Sequence, residues 1–101
     1  MTIRSNKIKA AAREQDCTIA IAGVCKNRTF TTVLIHLPFK GAGMARKETD
    51  ISSCFACSDC HDVVDGRVKD LDFELHRHWY LRRAMVRTWA KLVEMGLVVI
   101  K

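Results

Sequence analysis

The stretch Cys57-Ser-Asp-Cys60-His61 decides how the rest of this chain is interpreted. Two cysteines that are two residues apart place their sulfurs about one tetrahedral edge apart, as a zinc ion requires. A second pair, Cys17 and Cys25, lies upstream and offers two more thiolates. We therefore expect these four cysteines to hold one structural zinc ion, which leaves the histidines for chemistry.

Other interpretations of the five cysteines stay open. Free cysteine is a common core residue, so buried thiols without a metal are one alternative. The pair Cys57 and Cys60 could be redox-active, although the surrounding sequence lacks the βαβ pattern of a thioredoxin-like unit. Cys54 lies one helical turn before Cys57 and could replace it as a ligand, but we expect it in the core.

Length and charge narrow the class of protein. The 101 residues suffice for one domain, spanning 1–101, with a modest core that a metal ion would help to stabilise. The net charge of +6 suits a polyanionic partner such as nucleic acid, with mere solubility as the alternative.

The sequence also predicts a location. There is no run of about 18 apolar residues, and the basic N-terminus leads into no apolar signal core. We therefore expect a cytoplasmic protein without a membrane span. In that reducing compartment, clustered cysteines more often hold a metal than form disulfides.

The apolar pattern predicts an α+β fold. Residues 3–13 are predicted to be an arm or short helix, and Cys17–Ala22 is compatible with a strand followed by a turn. Residues 29–37, rich in β-branched side chains, are the best predicted strand, which Pro38 ends. The basic loop 40–47 lacks the Gly-Lys-Ser/Thr ending of a phosphate-binding loop.

Two helices are predicted after this loop. The first is capped by Thr49 or Asp50, runs through the cysteine cluster and stops near Gly66. The second is a long amphipathic helix over residues 72–95. Its apolar arc comprises Leu75, Trp79, Met85, Val86, Trp89, Leu92 and Val93. The apolar residues 97–100 then form a last strand or pack on a partner subunit.

The cysteine layout predicts a treble-clef arrangement. Cys17 and Cys25 flank a predicted strand and turn, whereas Cys57 and Cys60 belong to a predicted helix. In a treble clef one ligand pair comes from a knuckle and hairpin, and the other comes from the start of a helix.

Two histidines follow this framework, His36 at the end of the best strand and His61 after the second cysteine pair. On a basic protein they suggest a small metal-dependent nuclease, which needs a base to activate water and a divalent ion at the phosphate. For His36 alone, the alternative is a half-buried histidine with a satisfied hydrogen bond.

The combined pattern resembles a known family. It comprises Cys17-Thr-Ile, Gly23-Val-Cys25, Thr32-Val-Leu-Ile-His36-Leu, Gly43-Met, Lys47, Asp50, Cys57-Ser-Asp-Cys60-His61-Asp and Asp65-Gly-Arg67. Over residues 3–95 the chain resembles the YbcO-type nucleases of phages and prophages. These are similar to HNH endonucleases with a ββα-metal core, including a phage RecA-dependent nuclease.

The resemblance implies roles for individual residues. His36 corresponds to the general base, and His61 to a ligand of a catalytic Mg²⁺ or Mn²⁺ ion. The four cysteines match the zinc ligands, Asp50 is the candidate for the middle Asn of the motif, and Asp65 could complete the metal site. The chain departs from HNH enzymes in two places. Ile35 stands where many of them have Asp, and residues 62–65 replace the histidine or lysine that usually ends the motif.

Partners and rival functions follow from the same pattern. Arg83, Arg87 and Lys91 lie on one i, i+4 row and are predicted to contact DNA phosphates. Non-specific or structure-directed binding is expected because no base-reading motif is visible. The rival is a non-catalytic zinc-binding module for DNA or protein. A host recombination or replication protein and a second copy of the chain are further expected partners.

Overall fold

The structure is a computed structural model that describes residues 4–37 and 49–101. Within them, four α-helices surround a two-stranded antiparallel sheet, which confirms the α+β prediction. The predicted loop 40–47 and Pro38 lie outside the described residues. The elements, in chain order, are α1 (Asn6–Ala11), β1 (Val33–His36), β2 (Ser53–Ala56), α2 (Ser58–Val64), α3 (Leu71–Leu75) and α4 (Arg77–Glu94).

The sheet separates two apolar clusters. Val33 pairs with Ala56 and His36 with Ser53, so side chains of β1 alternate between the two faces. On one face, Ile35 and its partner Cys54 pack with the cysteines and with Val63 of α2. On the other face, the cluster contains residues of α1, β1, β2 and α4, namely Ile8, Leu34, Phe55 and Leu92.

The predicted helix from Thr49 or Asp50 to Gly66 is wrong in its first half. Residues 53–56 form β2, and the helix begins only after Cys57. All four residues of β2 are buried. A strand covered on both faces lacks the apolar–polar alternation by which strands are recognised in a sequence. Gly66, with φ +83, follows the C-cap residue Asp65 as expected.

The two predicted strands before β2 also differ from expectation. Residues 29–31 form a single 3₁₀ turn, which leaves Val33–His36 as β1. Cys17–Ala22 is not a strand but an irregular segment, in which Ala20 has φ +48. It still lies beside β2, because the backbone N–H of Thr18 donates to the carbonyl of Phe55 at 2.9 Å.

The long C-terminal helix is broken at His76, whose φ of −122 and ψ of 29 separate α3 from α4. Its predicted apolar arc is wrong in part. Only Leu92 of that arc is fully buried, whereas Leu75, Trp79, Val86 and Val93 are exposed. The face that packs on the sheet is instead the i, i+4 row of Tyr80, Ala84, Thr88 and Leu92.

The residues after α4 form no strand. Gly96, with φ +75, turns the chain, and Leu97 and Val98 pack against the cluster around Phe55. Val99 and Ile100 are exposed. Among the described helices, none is both long enough and apolar enough to cross a bilayer.

Candidate metal centre and histidine pairs

The four predicted zinc ligands come together. The sulfurs of Cys17, Cys25, Cys57 and Cys60 all lie within 4.8 Å of one another. The sulfurs of Cys25 and Cys57 are 3.8 Å apart. A tetrahedron of sulfurs at roughly 2.3 Å from a zinc ion has edges of about 3.8 Å. The prediction that these four cysteines come together in one group that could hold a metal ion is confirmed.

Local structure explains how Cys17 and Cys25, which are eight residues apart, come close to Cys57 and Cys60. Cys57 is the N-cap residue of α2 and Cys60 lies in its first turn. The side-chain oxygen of Asn27 accepts the backbone N–H of Cys17 at 2.8 Å, which ties the two ends of the 17–27 loop together. Arg28 then pairs with Asp59 of α2 at 2.9 Å and holds the loop against that helix.

Without a cation, these four thiols do not ionise together. The hydrogen bond from Cys60 lowers the pKa of Cys17 to about 5 against the opposing effect of burial. Burial and the neighbouring thiols raise the pKa of Cys25 to about 11. Four thiolates in one place repel, so without a cation some must keep their protons. Cys54 is fully buried outside the group, and burial raises its pKa to about 12.

His36 and Asp50 form the first of two histidine–carboxylate pairs. Nε2 of His36 lies 2.7 Å from Oδ1 of Asp50, and Oδ2 of Asp50 accepts the backbone N–H of Ser5 at 2.6 Å. Burial acts to raise the pKa of Asp50, but the hydrogen bonds with His36 and Ser5 outweigh it, and the pKa is lowered. The pair therefore stands at the N-terminus of α1, where Ser5 is the cap residue.

His61 and Asp65 form the second pair. They lie four residues apart on α2 and at its C-cap, with Nε2 of His61 3.1 Å from Oδ2 of Asp65. Arg67 shares the same carboxylate at 3.3 Å and also pairs with Asp62 at 3.0 Å. This pair is more exposed than the first. It was predicted from the helical spacing, whereas the part played by Arg67 was missed.

The two pairs do not form one cluster. Alternation along β1 places His36 on the face of Leu34, whereas α2 packs with Ile35 on the opposite face. Within residues 4–37 and 49–101, the four cysteines are the only group of three or more ligand atoms close enough to share a metal. The catalytic roles of His36, Asp50, His61 and Asp65 stay predictions.

The three predicted DNA-contacting residues occupy different environments on α4. Arg83 donates to the carbonyls of Ile19 and Ala20 at 2.7 and 3.2 Å, so part of its donor capacity is used within the protein. Arg87 is exposed. Lys91 is half-buried and lies 3.7 Å from Glu94.

Known proteins resemble this chain in sequence and in structure. Residues 6–97 match the protein family described as "Putative nuclease YbcO". The chain is 33% identical over 92 residues to "Putative nuclease YbcO" of Escherichia coli (strain K12), covering 90% of this chain and 95% of that protein. The same figures hold for "Putative nuclease ybcO" of Enterobacteria phage 82.

A solved structure is similar as well. It is described as a putative bacteriophage protein from Escherichia coli str. K-12 substr. MG1655. The TM-score is 0.66 at 32% sequence identity, and the match covers 87% of this chain and 98% of the other. The likeness therefore extends over nearly the whole of both chains.

Proposed function

This chain belongs to the YbcO family of nucleases, and from that premise we propose that it is a metal-dependent, HNH-type endonuclease that hydrolyses DNA phosphodiester bonds. The order β1, β2, α2, with a cysteine pair at the start of α2, is compatible with a treble-clef ββα-metal core. We treat residues 1–101 as one domain of this type, acting in a phage or prophage setting.

The pairing of His36 with Asp50 carries the proposal. A general base must be held in one orientation and one tautomer, which a hydrogen-bonded carboxylate provides. An imidazole held in this way would take the proton of the attacking water, while the oxygen of the water bonds to phosphorus and the leaving oxygen departs and is protonated by solvent.

The second part of the proposal concerns metals. Zn²⁺ suits the cysteine group, because four thiolates are the donor set of a closed structural site. Mg²⁺ or Mn²⁺ suits the exposed pair of His61 and Asp65, since such ions use one or two carboxylates and complete their shell with phosphate oxygens and water. When bound, this ion would supply charge stabilisation at the phosphate.

We assign DNA binding to α4. Arg83, Arg87 and Lys91 would contact phosphates, which contribute affinity rather than sequence preference. A host recombination or replication protein could present the DNA, and a second copy of the chain is a further proposed partner.

One observation favours the rival function, a zinc-stabilised module that binds DNA or protein without cleaving it. The pairs His36–Asp50 and His61–Asp65 do not share one metal group among the described residues. In a single HNH-type centre, the base of one pair and the ion held by the other would face the same phosphate.

A nicking assay separates the two functions. Supercoiled plasmid is incubated with the purified protein and a series of Mg²⁺, Mn²⁺ and Zn²⁺ concentrations. We expect nicking with Mg²⁺ or Mn²⁺, and a loss of about 10²- to 10⁴-fold in His36→Ala, as for removal of a general base. His78→Ala, at an exposed histidine of α4, is the matched control and should nick like the parent.

The outcome that decides against catalysis is equally clear. If neither protein nicks DNA with any of these ions although both bind it, the binding module is correct. If the parent and His36→Ala nick equally fast, the assignment of the base is wrong.

A further inference from the structure

An aromatic side chain lies exposed on the basic face of the last helix. Trp79 is 56% exposed, although the sequence pattern placed it in the apolar core. The guanidinium carbon of Arg83 lies 4.4 Å from the centroid of its ring, and the ring of Tyr80 makes an angle of 75° with it at a centroid distance of 5.0 Å. The ring is therefore fixed on one side and open elsewhere.

Arg83 is itself held in place. It donates to two carbonyls of the irregular segment, those of Ile19 and Ala20. A guanidinium anchored in this way keeps the indole in one orientation through a cation–π contact. Trp79 is thus an aromatic surface that is ordered before any ligand arrives.

The surroundings of the ring are basic. An open groove of about 400 Å³ runs along α4 and is lined by Trp79, Arg82, Arg83, Val86 and Arg87. Val86 is 59% exposed, and Arg82 and Arg87 are exposed as well. Three arginines beside an open indole combine charge for phosphates with a face on which a base can stack.

The charge argues against a second copy as the occupant. A two-fold interface would bring the same patch of each chain together, so six arginines would meet with their charges desolvated. A duplex fits less well, because its bases are stacked on each other and are not available to an aromatic ring.

We propose that this groove binds single-stranded nucleic acid, with an unpaired base stacked on Trp79 and neighbouring phosphates on Arg82 and Arg87. The proposal rests on the proposed function only for the choice of polymer, because it concerns binding and not cleavage. It narrows the DNA substrate to one with an unpaired segment.

Tryptophan fluorescence tests this directly, because the chain has two tryptophans in different environments. Trp89 is half-buried, and its Nε1 donates to the carbonyl of Ile51 at 3.0 Å. In Trp89→Phe the remaining emission comes from Trp79, and in Trp79→Phe it comes from Trp89. The titrants are a thymidine oligonucleotide of about 16 nucleotides, a duplex of the same length and inorganic polyphosphate, without added Mg²⁺ or Mn²⁺.

We expect the oligonucleotide to quench the emission of Trp89→Phe and to leave that of Trp79→Phe unchanged, while polyphosphate quenches neither. Trp79→Leu keeps apolar bulk but removes the ring, and it should weaken oligonucleotide binding about tenfold. Its affinity for duplex and polyphosphate should change less than twofold. Arg82→Ala should weaken binding of all three and reduce the salt slope by about one.

Three results would overturn the proposal. One is an unchanged oligonucleotide affinity in Trp79→Leu, and another is an equal loss for polyphosphate. The third is a change from dimer to monomer in Trp79→Leu with DNA affinity retained, which would make the groove an interface between copies. Any of these can occur while plasmid nicking persists, so failure here is distinct from failure of the nuclease assignment.

Discussion

Nε2 of His36 lies 2.7 Å from Oδ1 of Asp50, although the two residues are 14 positions apart in the chain. His36 ends β1 and Asp50 precedes β2, so the contact closes one end of the hairpin. The same carboxylate accepts the backbone N–H of Ser5, the residue that caps α1. Asp50 therefore links the sheet to the first helix as well as to the candidate base.

The first prediction concerns acid stability. Asp50→Asn should lower the free energy of unfolding by about 1–3 kcal/mol at neutral pH, because a buried charge-assisted hydrogen bond is lost. The pKa of Asp50 is lowered in the folded state. Its contribution to the free energy of unfolding is therefore fully present above the unfolded-state pKa of about 3.9. It is lost as the pH falls through the folded value. Urea titrations at a series of pH values measure this.

The control is Asp65→Asn, which removes a more exposed carboxylate. It should lower the free energy of unfolding at neutral pH by less than Asp50→Asn does. The parent and Asp50→Asn should converge in stability in acid. A difference between them that stays constant from neutral pH to well below pH 3 would contradict the prediction.

The second prediction concerns the metal. The parent should carry one zinc ion per chain, and chelation should abolish or strongly weaken the cooperative unfolding transition, since structural zinc supplies folding free energy. Cys57→Ala should lose both the ion and this effect. Metal analysis and thermal unfolding with and without a chelator measure the outcome.

Cys54 provides the matched control for this experiment. It is as buried as Cys57 but lies outside the ligand group. Cys54→Ala should therefore keep one ion per chain and lose only packing free energy. Equal metal loss in both variants would show that the ligand set has been misassigned.

The third prediction concerns two buried hydroxyls that join α4 to the sheet. The hydroxyl oxygens of Thr18 and Thr88 are 2.8 Å apart, and the backbone N–H of Phe55 reaches both, at 3.1 and 3.2 Å. Thr88→Val should cost about 1 kcal/mol, because Phe55 keeps the other acceptor. Thr18→Val should cost more, since its hydroxyl also donates to the Phe55 carbonyl.

The double variant tests whether these hydroxyls act together. The buried N–H of Phe55 loses both acceptors only in the double variant, so Thr18→Val with Thr88→Val should cost more than the sum of the single changes by at least about 0.5 kcal/mol. Urea unfolding of the four proteins gives this coupling free energy. Strict additivity would show that the two hydroxyls act independently.

Residue chemistry predicted the metal group better than it predicted the elements that carry it. If the chain is in a reducing compartment, as the sequence predicts, clustered cysteines more often hold a metal than form disulfides, so their convergence could be expected before the fold was known. The prediction of a helix through residues 53–56 was wrong, because β2 forms through its pairing with β1 and its burial on both faces. No local propensity encodes that pairing.

The contact of His36 with Asp50 was beyond sequence reasoning for a similar reason. Asp50 was recognised as a candidate, but its orientation depends on the hairpin and on the backbone of Ser5. The exposed Trp79 was missed because aromatic residues at helical spacing are usually core. Its i, i+4 relation to Arg83 was the available signal, since that spacing allows the guanidinium to stack on the ring.

The last prediction tests which face of α4 is buried. From the large apolar side chains, the sequence predicts that the face with Trp79, Val86 and Val93 is buried. The structure instead buries the row that contains Ala84, Thr88 and Leu92. Small residues on that row let the helix approach β2 closely, which a stripe of large side chains would prevent.

Leu92 and Val93 are adjacent and apolar, and they separate the two possibilities. Leu92 is 1% exposed and Val93 is 39% exposed. Leu92→Ala should cost about 2–5 kcal/mol through lost burial and a cavity beside Phe55, whereas Val93→Ala should change the free energy of unfolding by less than about 0.5 kcal/mol. Urea unfolding of both variants measures this difference. If Val93→Ala were the costlier change, the exposed face of α4, and with it the open surface of Trp79, would be covered in the folded protein.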